Sequence, residues 1–413
     1  MLIHAATDND IHPPTFGGSQ RTFGLLRGLA LAHDVRALCV VPTRSTGAAD
    51  ERVDGVSILR RKAWYTSAVW RLEQAHLAPM FLAADVHGLR AASFARALGG
   101  GADVLLADLN LAALIPAHPA PFKVHTSHNV EYDLFRTAGA PVAAAAWWAE
   151  HRRAAEARAV AAADLTVVCS DEDAKRMHEL YGVPEGALSV APNGYDETRV
   201  RPPSVAERAR ARHALGVGEH DYVALFLGSD VPHNRTALAE LTERVLPRLR
   251  NTGVRLLVAG SVSRVLAGRR ESWLSVHAEA ADIAPVLHAA DAGLNPVSGG
   301  GGSNIKVPTY LAAGLAVITT PFGLRGYPGL KPHVQSVALA DMGTALEARP
   351  AGWNARGAAE PAEVAAHAWG RIGEQLGREL EQRLSARRGA PSGGPRGASA
   401  VALVSQGVAG GGR

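Results

Sequence analysis

At 413 residues the chain exceeds what one hydrophobic core ordinarily organises, so two domains with appendages are expected. Apolar residues make up 47% and charged residues 20%, as in globular proteins, and no apolar run reaches the roughly 18–20 residues that span a bilayer. A formal charge of +4 is small for this length and argues against nucleic-acid binding as the main task, which calls for a clustered basic face.

The N-terminus, MLIHAATDND, opens directly as a strand, with no charged leader before an apolar stretch. Short β-rich runs then alternate with helical stretches, the pattern of a parallel sheet with crossover helices. In the first half strands are predicted at residues 2–6, 35–41, 104–107, 123–126, 166–169 and 188–191, and helices at 19–32, 88–97, 142–163 and 171–181. Residues 60–82 (RRKAWYTSAVWRLEQAHLAPMFL) mix basic and aromatic side chains and read as a solvated amphipathic helix. The sharper alternative there is a patch facing an acceptor or a membrane surface. Cys39 and Cys169 lie in the strand-like runs ALCVV and LTVVC and read as buried thiols, which form neither a disulfide framework nor a zinc site. A reducing, cytoplasmic setting is the expectation.

Pro202 and Pro203 break regular structure. A second alternating series follows, with segments at 222–227, 235–249 (helix), 255–259, 273–277, 283–290 and 293–295, a helix to 313, and 317–320. The economical fold is α/β, with two Rossmann-like domains facing across a cleft: residues 1–198 and 205–360. Residues 361–388 read as a C-terminal helix packing back on the first domain. The small, glycine-rich tail 389–413 reads as disordered.

The run GGGGSNIKVPTYLAAGLAVITTPFGLRG, residues 299–326, carries the sharpest chemical signal. A glycine-rich loop with one cation opens an apolar helix, an arrangement suited to a diphosphate. Glycines admit close backbone approach, a helix start offers unpaired N–H groups, and Lys306 adds charge. Gly301, Gly302, Ser303 and Asn304 are the candidates for contacting it. A lysine in the first helical turn opposes the helix dipole, and that misfit favours a functional role for Lys306.

Read in order, the motifs resemble the GT-B glycosyltransferases, and more closely their retaining, family-4-like group (family 1/4 type), which uses nucleotide-sugar donors. FGGSQR (Phe16–Arg21) is similar to the family's first glycine loop, and HTSHNVEYD (His125–Asp133) to its central histidine loop. AADLTVVCSDEDAKRM and APNGYD resemble the end of its N-terminal domain. FLGSDVPHNRTAL, LLVAGSV and HAADAGLNPVSGGGGSNIK follow in the family order, and Trp369 falls where the last helix usually carries a tryptophan.

The resemblance implies roles. His128, at the carboxyl end of a strand, would orient the donor sugar, and Lys306 would neutralise the departing diphosphate. Gly17 and Gly18 would let the first loop approach the phosphate, and Gly228, Ser229, Asn234 and Arg235 would line it from the second domain. Arg235 reads equally as an exposed helix residue. Asn129 and Glu131 are acceptor-side candidates that turn capping explains nearly as well. The acidic triplet Asp171–Asp173 reads as the first turn of a helix capped by Ser170 rather than as a metal motif. No metal or cofactor is expected; the nucleotide sugar is a co-substrate, and the other partner is a small-molecule or glycan acceptor.

The chain departs from the family at two places. A glutamate three residues after the loop lysine is replaced by Thr309, and one eight residues earlier by Gly301. Loss of that carboxylate pair implies weaker donor binding or a different donor. It opens a second reading, a non-catalytic homologue that partners an active transferase. A dinucleotide-dependent oxidoreductase would need a G-x-G-x-x-G fingerprint followed by an acid, which is missing. Envelope-polysaccharide and secondary-metabolite glycosylation both stay open, the unusual donor helix favouring the latter.

Overall fold

The structure is a computed structural model that describes residues 1–138, 142–277 and 282–389. The expected disorder of the tail therefore falls outside the described residues beyond Gly389.

The first sheet contains β1 (Leu2–Thr7), β2 (Asp34–Pro42), β3 (Asp50–Val53), β4 (Val56–Ala63), β5 (Val104–Ala107), β6 (Phe122–Thr126), β7 (Leu165–Val168) and β8 (Leu188–Val190). Their order is β3-β4-β2-β1-β5-β6-β7-β8, parallel except for the antiparallel β3–β4 pair. The second sheet contains β9 (Tyr222–Leu227), β10 (Val254–Ala259), β11 (Leu274–His277), β12 (Ala292–Asn295), β13 (Ala316–Thr319) and β14 (Gln335–Ser336). Its order is β11-β10-β9-β12-β13-β14, parallel throughout.

Both sheets are covered on both faces, which is why their strands read as apolar runs. In each sheet the first strand pairs on both sides and the chain reverses its direction of winding there, between β1 and β5 and again between β9 and β12. Open α/β sheets bind ligands outside the carboxyl ends of the strands at such a switch point. This topology alone fixes where a site belongs in each domain.

The final helix, Trp369–Gly389, packs against the first helix, Gly17–Ala30, under the N-terminal sheet. The contact is backbone to backbone. A Cβ on Gly28 would lie 2.2 Å from the Trp369 carbonyl oxygen, and one on Gly373 would lie 2.3 Å from the Gly28 carbonyl carbon. Trp369 is buried and fills the space left by Gly24.

Three segments differ from the sequence expectation. Residues 60–82 are not one amphipathic helix: β4 runs to Ala63, and the helix Tyr65–Gln74 follows. Arg60 is buried within β4, its guanidinium paired with Asp10 (2.7 Å) and Glu51 (2.6 Å), so a residue that reads as solvated is neutralised inside the fold. Trp64 and Trp70 do stand exposed, with Arg44 over the Trp70 ring. The helix expected over 235–249 is regular only as Pro232–Glu240 and then changes pitch through Leu241–Val245 and Leu246–Leu249, where Pro247 removes a donor. Residues 88–97 fall in two short helices, Leu82–Leu89 and Ala91–Leu98.

Candidate active site

The carboxyl ends of β9 and β12 carry the second domain's candidate residues. Gly228 and Ser229 follow β9 and lead into the helix Pro232–Glu240, while the glycine-rich loop follows β12 and ends in the helix Lys306–Ala312. Lys306 Nζ donates to Asn234 Oδ1 at 2.7 Å, and Asn234 Nδ2 donates to the Ser229 carbonyl at 2.9 Å. Asn234 is thus a buried bracket joining the two loops. The ammonium lies 5.1 Å from the centre of the Phe226 ring, and no carboxylate pairs with it among the described residues. Burial alone pushes its pKa down to about 7. A buried ammonium without a counter-charge is costly, and an arriving anion would relieve that cost.

The other second-domain candidates are placed less alike. Arg235 is exposed and forms an ion pair with Asp230 of its own loop (2.5 Å). The Thr309 hydroxyl donates to the Ile305 carbonyl (2.8 Å), a bond within its own helix. The Asn304 carbonyl accepts from the Val307 amide. His233 faces the loop at Gly300, and burial together with Lys306 pushes its pKa down to about 4.

Across the cleft, Gly17 and Gly18 open the first helix, and Gly17 faces the Ile305 side chain. His128 follows β6, its Nε2 3.5 Å from Thr22 Oγ1 and its Nδ1 buried without a partner. Burial, then Arg21, pushes the His128 pKa down to about 4, so the ring is neutral near pH 7. Asn129 Nδ2 donates to Glu131 Oε1 (3.1 Å), and Arg152 pairs with Glu131 Oε2 (2.9 Å). Burial, the largest single influence, favours the protonated acid, but Arg152, the Asn129 amide and His128 together hold Glu131 below the usual carboxylate range.

The two halves meet at the glycine loop. A Cβ on Gly301 would lie 2.9 Å from Asn129 Oδ1. On Gly302, at φ +61°, it would lie 2.7 Å from both Asn129 Oδ1 and the His128 carbonyl oxygen. Any side chain at 301 would therefore have to displace the Asn129 amide in this arrangement of the domains. Asn193 Nδ2 donates to the Ser303 carbonyl (2.9 Å) and Ser303 Oγ (3.1 Å), and Arg325 pairs with the buried Asp173. Ser170 Oγ accepts from the Asp173 amide at 3.1 Å, as a helix cap should.

Sequence reasoning passed over several residues that the fold brings together. Arg21 is buried and gives its N–H groups to the carbonyls of Ala191 and Val168 and to Asn193 Oδ1. Arg325–Asp173 and Asn193–Ser303 link residues of opposite domains. Asp8, after β1, and Asp108, after β5, meet at the first sheet's switch point. The only sequence signal for this last pair is that each acid directly follows a strand.

Two parallel-sheet domains that face each other with their switch-point loops in one cleft define the GT-B class. Residues 17–199 match the family model described as Glycosyltransferase Family 4, and residues 221–341 match Glycosyl transferases group 1. Together these matches cover most of the chain, which belongs to this group of glycosyltransferases. It is 30% identical over 129 residues to a D-inositol 3-phosphate glycosyltransferase of Nocardia farcinica, covering 31% of this chain and 28% of that protein. It is 33% identical over 113 residues to the Rhodococcus erythropolis protein of the same name, covering 27% of this chain and 25% of that protein. The matched stretches thus span only about a quarter of these relatives' length. Among solved structures, sucrose-phosphate synthase from Thermosynechococcus elongatus superimposes with a TM-score of 0.67 at 16% identity, covering 93% of this chain and 99% of that one. The catalytic domain of starch synthase IV from Arabidopsis thaliana, bound to ADP and acarbose, gives 0.62 at 13% identity, covering 94% and 99%. At these identities the likeness is one of fold.

Proposed function

We propose that the protein transfers a sugar from a nucleoside-diphosphate sugar to an acceptor hydroxyl, with retention of anomeric configuration and without a metal ion. One observation carries this reading: the Lys306 ammonium, bracketed by Asn234 beside the glycine loop, lacks a counter-charge among the described residues. The donor's diphosphate supplies that charge, Gly301 to Asn304 line it, and Gly228 and Ser229 flank it from β9. Gly17 and Gly18 approach from the other domain. As the sugar–phosphate bond breaks, negative charge grows on the departing oxygen, and the pre-placed ammonium stabilises it. Neutral His128 orients the sugar. In a retaining reaction the acceptor attacks the face that the leaving group vacates, and the donor phosphate takes the hydroxyl proton. Two buried free thiols, Cys39 and Cys169, support action in the cytoplasm, and no helix among the described residues is long and apolar enough to cross a membrane.

A screen of UDP-, GDP-, ADP- and dTDP-sugars by thermal shift, followed by turnover of whichever binds, tests the reading. A ligand that binds the folded state raises the melting temperature. No binding by any of them sinks the reading.

One observation favours a second reading, a non-catalytic partner of an active transferase. With Gly301 bare and the Thr309 hydroxyl bonded to Ile305, neither position offers a carboxylate to a donor's ribose. Co-purification of another transferase, together with an empty donor screen, would select it.

A further inference from the structure

The helix Tyr65–Gln74 turns its apolar side chains both ways. Tyr65, Thr66 and Val69 face inward and are buried. The exposed positions from residue 64 to 75 carry Trp64, Ala68, Trp70, Leu72 and Ala75, with Arg71 and Gln74 as the polar residues among them. A helix solvated on one face would place charges there; this one places two tryptophans, Trp64 at 71% exposure and Trp70 at 42%.

The surface continues beyond the helix. The following loop folds back on the helix end, where the Leu77 amide donates to the Leu72 carbonyl (2.9 Å) and the Met80 amide to Glu73 Oε1 (3.0 Å). The Ala143 amide donates to the His76 carbonyl (2.8 Å), which ties the loop to the start of the helix Ala145–Ala162. There Trp147 stacks on His151, and His151 on Phe81, with ring centres 5.2 Å and 6.5 Å apart. Leu77, Met80 and Trp147 are all exposed. Eleven large apolar side chains stand exposed among the described residues, and six of them belong to this one face. Such a concentration marks an interaction surface, whereas scattered exposed side chains need no explanation.

Charge says what covers it. Arg44, Lys62 and Arg71 are exposed around the two tryptophans, Arg44 lying 5.8 Å from the centre of the Trp70 ring. None of the three pairs with a carboxylate among the described residues. The acids close by are already engaged: Asp50 with Arg61, Glu73 with the Met80 amide, and Asp85 with His151. A second copy of the chain laid on this face would bring the same cations against each other. A surface carrying negative charge above an apolar layer answers both the arginines and the tryptophans, whose rings suit the headgroup level of a bilayer.

We propose that this face docks the protein on an anionic lipid surface, with Trp64 and Trp70 seated among the headgroups and Arg44, Lys62 and Arg71 against the lipid phosphates. The helix begins just past Ala63, the last residue of β4, and β4 runs parallel to β2 and through it to β1. The docked face therefore starts at the edge of the sheet where His128 and the candidate site lie. The inference goes beyond glycosyl transfer and does not depend on it, since docking requires no donor.

The test mixes the full chain with vesicles of phosphatidylcholine alone or of phosphatidylcholine with phosphatidylglycerol, and follows flotation and tryptophan emission. Binding should require the anionic lipid, move the emission to shorter wavelength and weaken as salt is raised, because salt screens surface charge over about 8 Å at physiological ionic strength. Arg44→Gln/Lys62→Gln/Arg71→Gln should weaken binding by about fivefold for each charge removed. Trp64→Ser/Trp70→Ser should lose most of the emission shift and bind roughly tenfold more weakly or worse. Both variants remove exposed side chains, so their thermal melts should match wild type. Quenching of wild-type emission by brominated lipid needs no variant and should accompany binding. Equal binding to both kinds of vesicle, binding to neither, or wild-type affinity in either folded variant overturns the proposal. A dimer that Trp64→Ser/Trp70→Ser dissolves, in a chain that ignores vesicles, would overturn it too and give the face to a second copy.

Discussion

Lys306 and Asn234 lie 72 residues apart, yet the lysine's ammonium rests 2.7 Å from the asparagine's carbonyl oxygen. The switch point makes this possible, because adjacent strands β9 and β12 deliver their following loops to the same spot. Lys306→Ala should lower kcat by about 10²–10³-fold, the cost of about 2.7–4 kcal/mol when one transition-state donor is removed. Asn234→Ala should cost about 10-fold to 100-fold, since a hydrogen bond to a charged group is worth about 1.5–3 kcal/mol. Steady-state kinetics beside a circular-dichroism melt check both. Wild-type turnover in a folded Lys306→Ala protein would remove the lysine from the reaction.

The same lysine sets a pH dependence. Burial lowers its pKa from 10.5 to about 7, so the free protein loses this positive charge as the pH rises through that value. A bound diphosphate favours the ammonium and raises the pKa again. Above pH 7 binding therefore takes up a proton, and donor affinity should fall with rising pH by at most about tenfold per unit. Calorimetry in buffers of different ionisation enthalpy measures the proton directly. Lys306→Arg should flatten the dependence, because arginine stays charged throughout.

Much of this arrangement was legible from residues alone because a strand buried on both faces must be apolar along its whole length. Runs such as YVALFL and LTVVC say so without alignment or coordinates. The β3–β4 hairpin escaped notice because β4 contains Arg60, Arg61 and Lys62, and the charge that makes Arg60 tolerable inside comes from Asp10 and Glu51 elsewhere in the chain. Its turn did carry a signal: Asp54–Gly55, both at positive φ, is a favoured two-residue hairpin turn. In the site, Lys306, Asn234 and His128 belong to local patterns and could be picked out. Asp8 with Asp108, and Arg325 with Asp173, could not, because 100 and 152 residues separate them and only strand order brings them together.

Closure across the cleft depends on an absent side chain. Gly302→Ala would place a methyl 2.7 Å from Asn129 Oδ1 and the His128 carbonyl, at a φ of +61° that alanine disfavours. The donor loop and histidine loop would then be held apart. A misplacement near 1 Å can cost about 100-fold in rate, so kcat should fall by that order while nucleotide affinity changes less. Equal losses in both would mean that the loop itself, rather than its approach to His128, was damaged.

Helix packing under the first sheet predicts a stability effect without a catalytic one. Gly28→Ala adds a methyl where the Trp369 carbonyl already sits 2.2 Å from the would-be Cβ, and no flexible side chain can yield. Overpacking of this kind costs about 1–3 kcal/mol. The denaturation midpoint should drop, and kcat of the folded fraction should hold.

Three wholly buried histidines, His4, His87 and His125, have their pKa pushed down to about 4 by burial. In the unfolded chain each protonates near 6.5, so between about pH 6.5 and 4 the unfolded state binds more protons than the folded one. Their contribution is fully present above pH 6.5 and is lost as the pH falls through that window. Stability measured by urea titration should therefore decline from pH 7 to pH 5. His4→Gln, which cannot titrate, should show a shallower decline than wild type if the melt at pH 7.5 is matched. A decline of unchanged slope in that variant would mean that His4 is already protonated in the folded protein, which would contradict the 3.0 Å contact of its Nδ1 with His118 Nε2 as a neutral pair.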